Sequence, residues 1–360
     1  MTIRIPLRDT QKTVLITGVS GGGVGLEIFK ALRLANRYRL LGVDASPLSM
    51  GLYMEEFERT FMVPRADNSS YLSTMLSLCK KERVSALAPG SEAELMVLAD
   101  NKKTFDETGI MLMINDPKVI RICSDKAKQT KYLQENGIPV PKTEIISREE
   151  DVTEFGVYPS VVKPSTSSGG SRFAFLAEDE EEAKFFVKYL MRRSISPLMQ
   201  EYIGEQEGEY TVGVLSTPHG DIIGSIALKR LLHNRLSYMI RYGERVLSTG
   251  VSQGIIDNFS LVQEQSERIA RILGSKWSLN VQGRLVGDVF YVFEINPRHS
   301  GTTYLRALAG FNEPDILLQS VFGDRLLKPE RLNKGYYLRG LTELYIPFEK
   351  VKKSGGMAEG

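Results

Sequence analysis

Glu294 and Asn296 stand two residues apart in the run Val292-Phe293-Glu294-Ile295-Asn296-Pro297-Arg298. On a β-strand such residues share a face. A carboxylate and an amide oxygen would then lie side by side. Oxygen ligands with few carboxylates suit magnesium held jointly with a substrate's phosphates. Pro297 ends the strand, and Arg298 follows at the rim, where a guanidinium can meet the oxygens of a transferring group. Gln282 lies upstream in Asn280-Val281-Gln282-Gly283-Arg284. It joins the same face if the hairpin between the two runs has a three-residue loop, 287–289. A two-residue turn at Gly287-Asp288 would pair Gln282 with Phe293 and point its amide the other way. The site requires the longer loop, and that is the expectation.

Two lysines could serve the same chemistry. Lys163, in Val161-Val162-Lys163-Pro164, closes an apolar strand, and Lys126 opens a helix. A lysine buried at a strand end is costly without an anion, and phosphate is the natural partner. Taken alone, either lysine is more often a solvated surface residue. Directly after Lys163 comes Ser165-Thr166-Ser167-Ser168-Gly169-Gly170-Ser171-Arg172. Such a run can fold over phosphates and donate backbone N–H groups, or be a plain hairpin turn. It is not a Walker A loop, since GK[ST] is absent. Further on, Glu201-Tyr202-Ile203-Gly204 offers extended backbone to an adenine edge, and Glu209 could accept from ribose hydroxyls. In isolation both read as ordinary strand.

A second glycine-rich turn, Gly18 to Gly25, follows an apolar strand and precedes a helix, with Asp44 ending the next strand. The spacing fits neither GxGxxG nor TGxxGxxG, and no YxxxK supports a dehydrogenase. Close packing of helix on sheet explains the turn as well as a dinucleotide does. Lys and Arg number 46 against 44 Asp and Glu, a net charge of +2. That balance argues against a dedicated nucleic-acid binder. Cys79 and Cys123 are too few to staple 360 residues, so a reducing, cytoplasmic setting is expected. No apolar run approaches the roughly 20 residues of a spanning helix. Three histidines without HExxH or CxxC argue against a catalytic zinc site.

The elements that must position these residues fall into two textures. Over about 11–115, short apolar strands (13–17, 40–43, 84–88, 110–114) alternate with helices (24–34, 70–81, 93–105). This predicts a doubly wound parallel sheet, an α/β domain. A helix over about 125–136 ends at Gly137, and Pro139 and Pro141 force an extended exit. From Val161 the texture is α+β: strands near 172–176, 198–203, 209–215, 222–229, 278–286 and 289–295, mostly antiparallel, with helices near 179–191 and 259–273.

In this order and spacing the residues resemble the ATP-grasp superfamily, in its branch similar to the carbamoyl phosphate synthase large subunit, over about residues 12–320. The resemblance implies a pre-ATP-grasp domain (1–116), a first grasp lobe with a glycine-rich lid (117–196), a second lobe with the metal site (197–325) and a C-terminal extension (326–360). It implies ATP contacts at Lys126, Lys163, Ser168, Gly169, Gly170, Glu201, Tyr202, Ile203 and Glu209. Metal ligands would be Gln282, Glu294 and Asn296, for Mg2+ or Mn2+ in its place. Arg298, Lys163 and Arg284 would act in catalysis, and Arg230, Arg235 and His299 would anchor substrate, with Arg241 and Arg245 as further candidates. The reaction class is ATP-dependent ligation: a carboxylate becomes an acyl phosphate, and an amine displaces phosphate. The partners are small molecules, with neither nucleic acid nor membrane, and homodimers are common among similar proteins.

Gln282 departs from the glutamate of many relatives and leaves open whether one or two Mg2+ bind. With one grasp module and no amidotransferase domain, complete carbamoyl phosphate synthesis is not expected. Phosphorylation of bicarbonate or carbamate is the alternative within the class. An NAD(P)-dependent oxidoreductase using residues 18–25 and Asp44 is the alternative outside it, and a regulatory module that lost catalysis is a third.

Overall fold

A computed structural model describes residues 11–166, 173–204, 208–234, 236, 238–243, 245–248, 250–323 and 332–352, the side chains of 238–240 and 242 excepted. Strands and helices alternate first: β1 (Thr13–Thr17), α1 (Val24–Ala35), β2 (Arg39–Asp44), β3 (Arg59–Met62), α2 (Tyr71–Lys81), β4 (Ala86–Ala88), α3 (Glu92–Asp100), α4 (Lys102–Glu107) and β5 (Met111–Leu112). Next come α5 (Pro117–Cys123), α6 (Lys126–Glu135), β6 (Thr143–Ile145), α7 (Glu150–Phe155), β7 (Ser160–Pro164), β8 (Phe175–Ala177), α8 (Glu180–Met191) and β9 (Pro197–Glu201). The chain continues through β10 (Glu209–Ser216), β11 (Ile222–Arg230), β12 (Tyr238–Tyr242), β13 (Arg245–Ser248), β14 (Gly254–Ile256), α9 (Ser260–Leu273), β15 (Trp277–Val286) and β16 (Val289–Asn296). It closes with α10 (Thr303–Leu308), α11 (Glu313–Phe322) and β17 (Gly335–Tyr337).

Two compact units result. One draws on Met1–Ile114, His299–Leu327 and Gly340–Gly360, the other on Asn115–Arg298 and Lys328–Arg339. The first is built on a parallel sheet of order β3-β2-β1-β4-β5, the doubly wound arrangement that the alternation predicts. Its glycine-rich turn serves packing. A Cβ on Gly25 would lie 2.1 Å from the Thr17 carbonyl oxygen, and one on Gly90 would lie 2.1 Å from the same atom. Only glycine lets α1 approach the ends of β1 and β4 this closely. The helix expected over 93–105 is two, broken at Asn101, whose side-chain amide donates to the Val97 carbonyl at 2.8 Å. The chain also returns here after residue 298: α10 and α11 pack against α1. The resemblance places residues up to 325 in the second grasp lobe, whereas His299–Leu327 belong to this unit.

The second unit holds two larger sheets. A four-stranded one runs β6-β9-β7-β8, and a six-stranded one runs β16-β15-β10-β11-β14-β17. Each has one dry face, because side chains alternate along a strand. On the smaller sheet Val162, Ala177 and Met199 pack with Val152, Phe155 and the α8 residues Ala183, Val187 and Leu190. On the larger, Tyr210, Val212, Val214, Leu279, Val281, Val292 and Ile295 pack with Leu133 of α6 and with Val262, Ile269 and Leu273 of α9. The intervening positions are therefore released to the opposite faces, and those carry the polar chemistry. Among the described residues no helix is long and apolar enough to cross a membrane.

Candidate active site

The polar face of the larger sheet is set by register. Glu209 of β10 pairs with Arg284 of β15, Thr211 with Gln282 and Gly213 with Asn280. Across β15 and β16, Gln282 stands opposite Glu294 and Asn280 opposite Asn296. Thr211 donates its hydroxyl to Asn280 Oδ1 at 2.9 Å. Gln282 thus shares the face of Glu294, but by a different route from the expected one. Val286 pairs with Val289, so the loop is the two-residue turn Gly287-Asp288, with Gly287 at φ +57°. A β-bulge between Gln282 and Gly283 absorbs Phe293 and restores the face that the short turn would have lost. Gly283 accommodates it, since a Cβ there would come within 2.5 Å of the Tyr291 carbonyl.

The two lysines are brought together by main-chain contacts. Asp125 caps α6, accepting from the amides of Ala127 and Lys128 at 3.1 and 3.0 Å. Asp125 also bridges to Thr166, and the Lys126 amide donates to the Ser165 carbonyl at 2.9 Å. The first turn of α6 is thereby stitched to the end of β7, which carries Lys163. Lys163 Nζ donates to Gln200 Oε1 at 2.8 Å, and Gln200 Nε2 donates to the Thr143 hydroxyl at 3.0 Å. Gln200 was not anticipated. Its signal was a polar residue in the apolar run Pro197-Leu198-Met199, on the face opposite Met199.

Burial and, after it, the Lys126 cation push the Lys163 ammonium down to about 8, against the opposing pull of the Glu294 carboxylate. The three charges therefore sit within electrostatic reach of one another. The depressed value gives a signed prediction. A polyphosphate binds the protonated lysine, so its affinity should be highest below pH 8. It should then fall by up to about tenfold per pH unit above that value until the pKa of the bound form is reached. Titrating a non-hydrolysable ATP analogue by calorimetry between pH 7 and 9.5 measures this, and Lys163→Met should flatten the slope.

Glu209 occupies a different setting from the ribose contact expected of it. It is 1% exposed. Its Oε1 accepts from Ser248 Oγ at 2.6 Å and lies 3.0 Å from Arg230 Nη1; its Oε2 lies 3.0 Å from both Nε and Nη2 of Arg284. Burial pushes its carboxyl up, but Arg230, Arg284 and Ser248 more than offset this and hold it below its usual value. Arg284 also donates to the carbonyls of Ile203 at 2.6 Å and Val246 at 2.9 Å, and its guanidinium lies 4.5 Å from the Tyr202 ring centroid. Tyr202 Oη accepts the Val246 amide at 3.0 Å. Arg284 and Arg230, expected to reach catalytic or substrate oxygens, are thus committed to a buried ionic cluster. The cluster fixes the 201–204 segment against the β12–β13 hairpin. The Glu201 carboxylate caps the Lys142 amide at 3.1 Å.

At the end of β16, Arg298 is half-buried with its Nη2 3.4 Å from Asn296 Oδ1, and its amide donates to the Asn296 carbonyl at 2.9 Å. Two residues that sequence reasoning missed brace this end. Gln129 Oε1, one helical turn beyond Lys126, accepts the Ile295 amide at 2.9 Å. Asn115 donates to the carbonyls of Ser278 at 2.8 Å and Pro297 at 3.2 Å. Asn115 closes the apolar run Met111 to Ile114, a sign the sequence carries, whereas Gln129 stands in the polar run Lys126-Ala127-Lys128-Gln129-Thr130-Lys131 and has none. His299 is buried at 4% exposure and belongs to the first unit. Arg241 and Arg245 are exposed on the β12–β13 hairpin, Arg245 paired with Glu178 at 2.9 Å. Ser168, Gly169, Gly170 and Arg235 lie outside the described residues.

Among the described residues no group of three His, Cys, Asp or Glu could hold a metal ion. The local donors are instead one carboxylate, Glu294, and the amide oxygen of Asn296. A short set of hard oxygens fits magnesium shared with a nucleotide's phosphates, and not a metal caged by protein alone. Gln282, across from Glu294, adds an amide oxygen that already accepts Arg230 Nη2 at 2.7 Å.

Comparisons with known proteins show the family and the fold. Residues 123–302 match the ATP-grasp domain model, and residues 14–113 match the PylC-like N-terminal domain. The carbamoyl phosphate synthase large chain of Thermoplasma volcanium is 24% identical over 283 residues, covering 76% of this chain but 26% of that protein. This chain therefore spans about a quarter of that relative's length. Among solved structures, biotin carboxylase from Campylobacter jejuni superposes with a TM-score of 0.65 at 16% identity, over 89% of this chain and 74% of that one. An L-amino acid ligase from Bacillus licheniformis gives 0.64 at 15% identity, over 89% and 75%. N5-carboxyaminoimidazole ribonucleotide synthetase from Thermotoga maritima gives 0.60 at 17% identity, over 90% and 79%.

Proposed function

Because the chain belongs to the ATP-grasp family, we propose that it is an ATP-dependent carboxylate–amine ligase, which phosphorylates a carboxylic acid and couples it to an amine with release of ADP and phosphate. The observation that carries this reading is the convergence of Lys126 and Lys163 on Glu294, at the strand that also bears Asn296 and Arg298. Two cations beside one carboxylate suit a polyphosphate that arrives with a divalent ion.

Lys163 and Lys126 neutralise phosphate oxygens, and Gln200 holds the Lys163 ammonium in place. Glu294 and Asn296 would hold Mg2+, or Mn2+ in its place. When bound, that ion supplies charge cancellation across the phosphates. Arg298, next to Asn296, steadies the oxygens of the phosphorylated acid as charge develops. The 201–204 segment, fixed by Arg284, offers its backbone to the adenine edge. No nucleophilic side chain is required, because the substrate carboxylate attacks ATP and the amine attacks the acyl phosphate. The setting is cytoplasmic, with two free, buried cysteines, and the substrates are small molecules.

A screen of ADP release over carboxylic acids and amines, with Mg2+ present, tests the reading. ADP should appear only when an acid and an amine are supplied together, and chelation should stop it. The similarity to carbamoyl phosphate synthase adds bicarbonate to the screen. ADP release with bicarbonate alone would favour phosphorylation of a one-carbon acid. Binding of NAD(H) without binding of ATP would overturn the ligase reading.

A further inference from the structure

We propose that Gln129 is a positioning residue for the metal strand: it sets the peptide between Glu294 and Ile295 and ties that strand to the helix that opens with Lys126. The inference rests on the nucleotide site described above and names a residue that acts through Glu294 and Asn296. β16 is the outermost strand of its sheet, with β15 on one side only. Buried amides on its open side need acceptors from elsewhere. Val292 and Ile295 find them: the Pro139 carbonyl takes the first amide at 3.0 Å, and Gln129 Oε1 takes the second at 2.9 Å. On an unbroken strand the outward amides recur every second residue. These two are three apart because the bulge at Phe293 shifts the phase. The irregularity that keeps Gln282 on the Glu294 face thus also presents the Ile295 amide to α6.

Gln129 and Ile295 are each 1% exposed, so water does not stand in for the Gln129 oxygen. The peptide it fixes follows Glu294, and Asn296 is the next residue along. Rotating that peptide would swing both oxygen donors off their shared face. Gln129 also stands one helical turn beyond Lys126, on the same side of α6. The first turn of α6 is bound independently to β7, through the Lys126 amide on the Ser165 carbonyl at 2.9 Å. Lys126 and Lys163 therefore keep their mutual placement without Gln129. What Gln129 adds is the placement of Glu294 and Asn296 against them.

Two titrations of the full chain, both well below its unfolding midpoint, test this. Mn2+ affinity with a non-hydrolysable ATP analogue bound, read by electron paramagnetic resonance, should fall at least about tenfold in Gln129→Met, the range for residues that orient metal ligands. Affinity for the same analogue in EDTA, read by calorimetry, should stay within about twofold of the parent, because the lysines that meet the phosphates keep their places. Gln129→Glu keeps an acceptor for the Ile295 amide and should restore most of the Mn2+ affinity. Gln129→Ala leaves room for a water on that amide; it should show the same split and serves if the methionine variant misfolds. A merely structural brace gives a lower midpoint with Mn2+ affinity unchanged, or losses of equal size in both titrations. Either result overturns the proposal, as does failure of Gln129→Glu to restore the ion. A parent chain that binds neither nucleotide nor Mn2+ sinks the site reading and this proposal with it, an outcome told apart because it needs no variant.

Discussion

Glu294→Ala should turn over ATP at least about a thousandfold more slowly than the parent while remaining folded. A divalent ion at a transferring phosphoryl group supplies several kcal/mol of charge stabilisation, and each 1.36 kcal/mol is a factor of about ten. Glu294 is the only carboxylate that β16 brings to the polar face beside Asn296. The fold should survive, because Glu294 is half-buried at the cleft and outside the apolar cluster formed by its neighbours Ile295 and Val292. A second consequence separates this role from a structural one. Glu294 raises the pKa of Lys163. Removing it should move the lysine's titration lower still, so the fall in metal-free nucleotide affinity with rising pH should begin below pH 8. At pH 7 or below, where the lysine stays protonated, metal-free affinity should be undiminished, since a negative charge has left the anion site. Steady-state ADP release, thermal unfolding and calorimetry in EDTA together test this. A Glu294→Ala protein that is active, or that unfolds, contradicts it.

The parts of this site that were legible in the sequence depended on local periodicity. Glu294 and Asn296 share a face by strand alternation. Lys163 stood out at the end of an apolar strand, and the boundaries of β15 and β16 followed the alternating pattern to within a residue. Partnership was less legible. Glu209, Arg230 and Arg284 each looked like groups aimed at a ligand, because a sequence shows a charge but not its partner. They meet only because β11, β10 and β15 align in one register, with Ser248 arriving from a separate hairpin. The Gly287-Asp288 turn shows the same gap. Its residues pointed correctly to a two-residue turn, and the bulge at Phe293 that compensates has no signature of its own. The return of α10 and α11 to the first unit is a long-range matter too, resting on packing against α1 and on the buried Arg306–Glu313 pair at 3.2 Å.

Glu209→Ala should cost on the order of 3–5 kcal/mol of stability, the range for removing one partner of a buried ion pair. The value should lie toward the upper end, because two guanidinium groups are left behind. Arg230 is 7% and Arg284 is 4% exposed, so neither can recover hydration without opening the sheet. For a unit of this size each kcal/mol moves the midpoint by about 2–4 °C, giving a drop of roughly 10 °C or more. Glu209→Gln preserves shape and some hydrogen bonds but not the charge, and should fall between the two. Acid should have the same effect on the parent. The Glu209 carboxyl lies below its usual value, so the cluster's contribution is complete at neutral pH and is lost as pH falls through that depressed pKa. The glutamine variant should lose less on acidification. Nucleotide binding should weaken as a consequence of the lost order, because Arg284 would no longer hold the Ile203 carbonyl. If Glu209 were instead a direct ribose contact, Glu209→Gln would raise the KM for ATP and leave the unfolding midpoint where it was. Thermal denaturation followed from pH 7 down into the range below the usual carboxylate pKa, set beside KM, distinguishes the two.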